Sequence, residues 1–296
     1  MIKGSVVQLD RISDFGSEGW RFESSLSHFF LFFIFTIFNF NAQVITSKIK
    51  LPSYINETSG LEIIDDFLVT HNDSGNDAIL YYLNENGNLI FERNFKEFEN
   101  IDWEDLAVDD DYVYIADMGN NYDTRLNLRI IKVPINSKIN SYEIINFYYP
   151  EQKSYKFRRK SIFDAEALIS VDDFLYIFTK NRAEKTTDIY RLPKKGGTWA
   201  AKKISTLNTN SIVTAADYSI ESKLLVLTST IDFNNYYILK IENFDLKNIG
   251  NSYIEMFEIP IGKTQVEAIK IIDKSSFWLT SENEDKGSPF LYKILL

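Results

Sequence analysis

The chain has 296 residues, 45% of them hydrophobic and 25% charged, which excludes overall disorder and suffices for one large domain or two ordinary ones. Asp and Glu number 42 against 32 Lys and Arg, a net charge of −10 that argues against a nucleic-acid polymer as partner, because phosphate contacts need a basic face. With no Cys, and His28 and His71 as the only histidines, disulfides, thiol nucleophiles, iron–sulfur clusters, thiolate zinc and multi-histidine metal sites are excluded.

Residues 1–27 are mixed in charge and without apolar period, and are expected to form an extension outside the fold. Within them, 7–25 resembles the translation of a bacterial transfer-RNA gene, which implies a misassigned start. Residues 28–42 are dominated by Phe, Ile and Leu. The run is shorter than the roughly 20 residues a membrane helix needs, and has the length of a signal-peptide core. Asn41-Ala42 before Gln43 offers a small-residue cleavage point, so the mature protein is expected to be periplasmic or extracellular, with no membrane span. A retained anchor or a buried strand is the alternative for 28–42. Without Cys there is no lipoprotein anchor.

Residues 43–296 read as one domain, built on a repeat. A strand-like run, 44–51, comes first. Five copies then open on Glu57-Thr-Ser-Gly-Leu61, Glu104-Asp-Leu-Ala-Val108, Glu166-Ala-Leu-Ile169, Asp217-Tyr-Ser-Ile220 and Glu267-Ala-Ile-Lys-Ile271. They stand roughly 50 residues apart, with one wider interval between the second and third. Each acidic anchor starts a short apolar inner strand. Second strands are expected at 67–70, 112–115, 174–178, 224–227 and 277–280, each running into a polar loop. Third strands fall at 79–83, 128–133, 188–192, 237–241 and 290–295, and outer strands at 89–93, 142–147, 201–204 and 253–259. The 23 Phe and 17 Tyr, with only 6 Pro, suit this all-β reading.

The fifth copy lacks an outer strand, and 44–51 supplies one. The pattern predicts a β-propeller: five blades of four antiparallel strands, closed by the N-terminal strand pairing with the last blade. Six blades, with an extra one near 136–163, is the alternative.

In an up-and-down blade the inner strand starts on the face where the second strand ends. The anchors Glu104, Glu166, Asp217 and Glu267 are therefore expected in a ring at one mouth of the central channel, completed by Ser59 and Glu57. Carboxylates so close repel unless some are protonated or a cation sits among them. An oxygen-only cage suits calcium, which takes six to eight oxygens, better than magnesium, which keeps its waters. Hydrogen bonding to backbone N–H groups or to a water column is the other reading. Trp103 reads as a packing wedge between blades.

The loops beside the ring carry His71, Asn72 and Asp73, then Asp117, Asn120 and Asn121, then Lys180 and Arg182. Asn, Asp and Gly at 72–76 and 120–121 also meet ordinary turn requirements. Lys180 and Arg182 either hold a phosphate or carboxylate or pair with the acidic ring.

Glu57-Thr-Ser-Gly-Leu61 with Asn72-Asp-Ser-Gly75, Trp103-Glu-Asp-Leu-Ala107 with Tyr114-Ile-Ala-Asp117, and Glu267-Ala-Ile269 resemble the soluble calcium-activated nucleotidases, or apyrases. That resemblance spans 43–296 and implies a five-bladed propeller with a central calcium that hydrolyses nucleoside di- and triphosphates. It implies calcium ligands at Ser59, Glu104, Glu166 and Glu267, a nucleotide-facing acid at Asp73 and a phosphate-holding base at Arg182. Two features depart from the family: Ser74 stands where an Arg follows the loop acid, and Thr214-Ala-Ala-Asp217 replaces a small central hydroxyl. The chain also resembles exported propellers of bacteroidete genomes and the SdiA-regulated type of envelope propeller.

Two functions follow. One is an exported propeller with calcium as central plug, binding a small-molecule or protein ligand on the face of the second-to-third-strand loops. The other is a calcium-dependent phosphohydrolase, with Asp73 or a ring Glu as base and Arg182 and Lys180 clamping phosphate. A lactonase-like hydrolase is a third, and a Ser-His-Asp triad is disfavoured by the scarcity of histidine.

Overall fold

The computed structural model describes residues 43–296 except 137, 139, 140 and 283–286. The expected extension 1–27, the expected export segment 28–42 and its cleavage point lie outside the described residues.

Strand β1 (Val44–Lys50) comes first, and blade one follows as β2 (Thr58–Ile64), β3 (Phe67–Asn72), β4 (Ile79–Leu83) and β5 (Leu89–Asn94). Blade two is β6 (Trp103–Val108), β7 (Tyr112–Asp117), β8 (Arg129–Pro134) and β9 (Glu143–Tyr148). The third blade contains β10 (Ala165–Val171), β11 (Phe174–Thr179), β12 (Thr187–Pro193) and, after β13 (Gly197–Ala200), the outer strand β14 (Lys202–Leu207). Blade four is β15 (Ile212–Ser219), β16 (Leu224–Thr230), β17 (Tyr236–Ile241) and β18 (Glu255–Glu258). Blade five is β19 (Val266–Ile271), β20 (Ser276–Ser281) and β21 (Phe290–Leu295). Its outer strand is β1, antiparallel to β21 from Val44 opposite Leu295 to Lys50 opposite Phe290. A 3-10 turn at Ile249–Asn251 is the one helical element among the described residues. This is the five-bladed, terminally closed propeller that the repeats predict.

The inner strands β2, β6, β10, β15 and β19 touch in sequence around a closed ring. Covered on both faces, they are buried almost throughout, whereas β1, at the rim, alternates exposed and half-buried positions. The core divides into five apolar clusters, one at each junction between neighbouring blades. Trp103 is fully buried at the junction of blades one and two, the wedge its sequence context predicts.

Two details differ from the sequence expectation. Gly197–Ala200 leaves its own blade and pairs in parallel with β9, so blade two has a fifth strand that staples it to blade three. The wide interval contains no sixth blade: after β9 the chain has no strand among its described residues until β10.

Each inner strand also carries one bulge against its second strand. The extra residues are Gly60, Glu104, Glu166, Thr214 and Glu267. A bulge inserts one residue without a partner and re-aims its side chain, here at the same level of all five blades.

Candidate functional site

The bulges lie where the inner strands begin and the second strands end, so their residues meet the loops of one face. Three of the five are glutamates. Gly60 has no alternative: its φ is +65°, and a Cβ there would come within 2.8 Å of the Leu106 nitrogen and 2.9 Å of His71 Nε2. Thr214 is spent on structure, its Oγ1 donating to the Val266 carbonyl at 2.7 Å.

Around Glu104, Glu166 and Glu267 stand four more acids. Asp73 and Glu282 are the first residues beyond β3 and β20, and Asp102 and Asp164 each precede a bulge by two residues. The seven carboxylates form three groups, each with oxygens within 4.8 Å of one another: Asp73–Glu267–Glu282, Asp73–Asp102–Glu104 and Glu104–Asp164–Glu166. Lys180 and Arg182 enter the same pocket, whose volume is about 250 Å³.

The two cations are engaged. Lys180 Nζ lies 2.5 Å from Glu166 Oε2 and 3.9 Å from Glu267 Oε1. Burial opposes its charge, yet Glu166 and Glu267 outweigh that and raise its pKa above the usual lysine value. Arg182 pairs with Asp164 and donates from Nη2 to Asn121 Oδ1 at 2.7 Å.

Glu104 is different. It is 3% exposed, and no hydrogen bond or ion pair reaches its carboxylate among the described residues. Burial, and then the charges of Glu166 and Asp73, push its pKa well above the carboxylate range. Gly119 makes room for it, since a Cβ there would collide with the carboxylates of Glu104 and Asp102. Burial also lifts Asp73 to about 7, with Glu267 adding to it, and Asp102 to about 6 against the pull of Arg125. Glu282 rises to about 10 from burial and its neighbour Glu267.

The seven carboxylates face three cations, Lys180, Arg182 and Arg125, the last 4.0 Å from Asp102, and a hard divalent ion fits the negative charge left over. The donors are all oxygen, from flexible carboxylates of several blades, which is calcium chemistry rather than that of zinc or copper. The group Asp73–Asp102–Glu104, with which Lys180 forms no pair, could hold such an ion.

The far end of the channel is built from similar residues. Lys270 Nζ lies 2.5 Å from Glu62 Oε2 and 3.0 Å from Asp217 Oδ1. Asp217 Oδ2 also accepts the Ile271 N–H at 2.7 Å, and Asp105 accepts the N–H groups of Leu106 and Leu168, each at 2.8 Å. There every carboxylate has a partner.

Of the residues singled out from the sequence, Asp73, Glu104, Glu166, Lys180, Arg182 and Glu267 come together at the mouth, with Glu57 and Asn121 at its edge. Asp217 does not join them. It sits three residues beyond the bulge of its strand and lines a separate pocket with Glu62 and Lys270. Ser59 precedes its bulge by one residue, and its hydroxyl donates to the Glu104 carbonyl at 2.5 Å instead of entering the pocket. Asp102, Asp164 and Glu282 were missed. The first two belong to a visible signal, the repeated Asp-Xaa-Glu of Asp102-Trp-Glu104 and Asp164-Ala-Glu166.

No family model matches the chain, and no curated protein matches it. Solved structures do. The PQQ-bound aldose sugar dehydrogenase of Streptomyces coelicolor aligns with 86% of this chain and 98% of its own, at 11% identity and a TM-score of 0.50. The likeness is one of fold. Looser matches are hydrazine synthase of Kuenenia stuttgartiensis (13% identity, 76% of this chain and 56% of that one, TM-score 0.42) and a chain of the mitotic checkpoint complex (10%, 100% and 99%, TM-score 0.46).

Proposed function

We propose that the protein is a ligand-binding propeller whose channel mouth holds a hard divalent cation, calcium by its donor chemistry, with the ligand docking on the same face. Glu104 carries this reading. A buried carboxylate with no partner, within reach of Asp73 and Asp102 on one side and Asp164 and Glu166 on the other, is an unfilled demand for positive charge. Export of the mature domain belongs to the same proposal, supported by the apolar run 28–42 and the absence of Cys.

Calcium titration followed by calorimetry and thermal melting tests it. At a hundredfold excess over Kd, calcium adds about 2.7 kcal/mol, which raises the melting temperature of a domain this size by roughly 5–10 °C. Glu104→Gln should remove most of that rise. A melt unchanged by both calcium and chelator would sink the proposal.

A second reading, calcium-dependent hydrolysis of phosphate esters or anhydrides, is favoured by the presence of Asp73, Lys180 and Arg182 in the pocket of the metal-capable acids. It requires Lys180 and Arg182 to exchange their present carboxylate partners for phosphate. Calcium-dependent phosphate release from a nucleotide panel, lost in Asp73→Asn, tests it; no release leaves the binding propeller.

A further inference from the structure

The connection from β9 to β10 is the most basic part of an acidic chain. Lys153, Lys156, Arg158, Arg159 and Lys160 fall within eight residues, and every residue from 153 to 160 is exposed. Arg158 is paired with Asp123 at 3.3 Å, and Lys153 Nζ donates to the Pro150 carbonyl. Among the described residues, the side chains of Lys156, Arg159 and Lys160 have no partner. Cations left uncompensated on a molecule of net charge −10 are a local exception to its electrostatics.

Aromatic rings stand among them. Phe157, 67% exposed, stacks on Tyr122, 51% exposed, with centroids 4.8 Å apart and planes at 22°. Tyr122 directly follows Asn121, which lines the acidic pocket, so the stack stands at the rim of the mouth. The connection is pinned in place. The Arg158 N–H donates to the Tyr122 carbonyl at 3.0 Å, and Gln152 Nε2 to the Asp123 carbonyl at 2.8 Å. The Phe163 N–H donates to Asp123 Oδ1 at 3.0 Å. A held loop presenting exposed aromatic area is a binding feature more than a solvated tether.

We propose that this rim binds an anionic polysaccharide, its sugar rings lying on the Tyr122–Phe157 stack and its carboxylate or sulfate groups pairing with Lys156, Arg159 and Lys160. The two rings cover each other's inner faces and leave an outer face on which a sugar ring can lie, whereas a bilayer takes up separate apolar wedges. Charge density selects the polymer. Three free cations beside seven carboxylates would repel the closely spaced phosphates of a nucleic acid, but accommodate a glycan whose charges are set a sugar or two apart. Arg159 adds a planar fork that matches a carboxylate or sulfate. None of this depends on a cation in the mouth.

The test is affinity electrophoresis and calorimetry of the full chain with polygalacturonate and with chondroitin sulfate, each of which carries one charge per sugar, in chelator, so that any metal site is silent. Binding to at least one polymer is expected, weakening as salt rises from about 50 mM to about 300 mM. The triple variant Lys156→Ala/Arg159→Ala/Lys160→Ala should bind at least about tenfold more weakly. Phe157→Ala should lose roughly three- to tenfold. Lys274→Ala, an exposed cation of a far-side turn, should change nothing, and all melts should stay together because every altered side chain is exposed. Absence of binding to both polymers, or full binding by the triple variant, would overturn the proposal. Tighter binding to phosphatidylglycerol vesicles or to an oligothymidylate than to either polysaccharide would also overturn it, and would reassign the rim to a membrane or a nucleic acid.

Discussion

The two ends of the channel use the same amino-acid types to opposite effect. At the far end Lys270 lies between Glu62 and Asp217, and Asp105 is clamped by two backbone N–H groups. At the mouth seven carboxylates share Lys180, Arg182 and Arg125, and Glu104 has no partner of its own. Both ends are buried, so burial alone does not mark a site. The difference lies in partners: at the far end every carboxylate is held by Lys270 or by backbone N–H groups, and at the mouth Glu104 is held by neither.

Removing one cation from each end sharpens the contrast most. Lys270→Met strands Glu62 and Asp217 and should cost about 3–5 kcal/mol in denaturant unfolding, with or without calcium. Lys180→Met should cost a similar amount in chelator, but calcium should recover most of it, since the ion replaces the lost charge. Equal calcium responses in the two variants would break the distinction between the ends. A smaller effect is expected from Glu104→Gln, which should leave the calcium-free protein within about 1 kcal/mol of the parent, because burial and its acidic neighbours already favour the uncharged carboxyl.

Last comes the dependence on pH. Asp73, Asp102 and Glu282 have folded pKa values of about 7, about 6 and about 10, raised above their unfolded values chiefly by burial. The folded state therefore holds more protons than the unfolded one from about pH 4 upward, and stability falls as pH rises through these values. In chelator stability should fall steadily from pH 5 to pH 7, and calcium should flatten that fall. His71 runs the other way: burial lowers it to about 4, so its contribution is lost as pH falls from 6.5 towards 4.

The fold was legible because each blade repeats the same strand rhythm, and the run at 44–50 supplies the strand that the fifth copy lacks. The site was legible only in part, and the bulges explain why. A bulge consumes one residue that no alternation of apolar and polar positions reveals. Aligning blades on their acidic residues therefore worked where the bulge residue is Glu104, Glu166 or Glu267. It slipped to Asp217 where the bulge residue is Thr214, and to Glu57 where it is Gly60. Asp102 and Asp164 were hidden because they stand before the apolar runs that defined the copies. The parallel strand Gly197–Ala200 escaped because Gly-Thr-Trp-Ala is too short to show an alternation, and only the edge of β9 gives it a place.

The closing pair of strands also sets an order of events. Strand β1 is synthesised before any blade, yet its partner among the described residues is β21, the last strand of blade five. Until β21 has been made, that first strand has nothing to pair with and blade five stays incomplete. Long-range closure of this kind is slow relative to local hairpin formation. The ring is therefore assembled from within, blade by blade, and locked only at the end. A chain threaded across a membrane before β21 has been made would make that crossing with the ring still open.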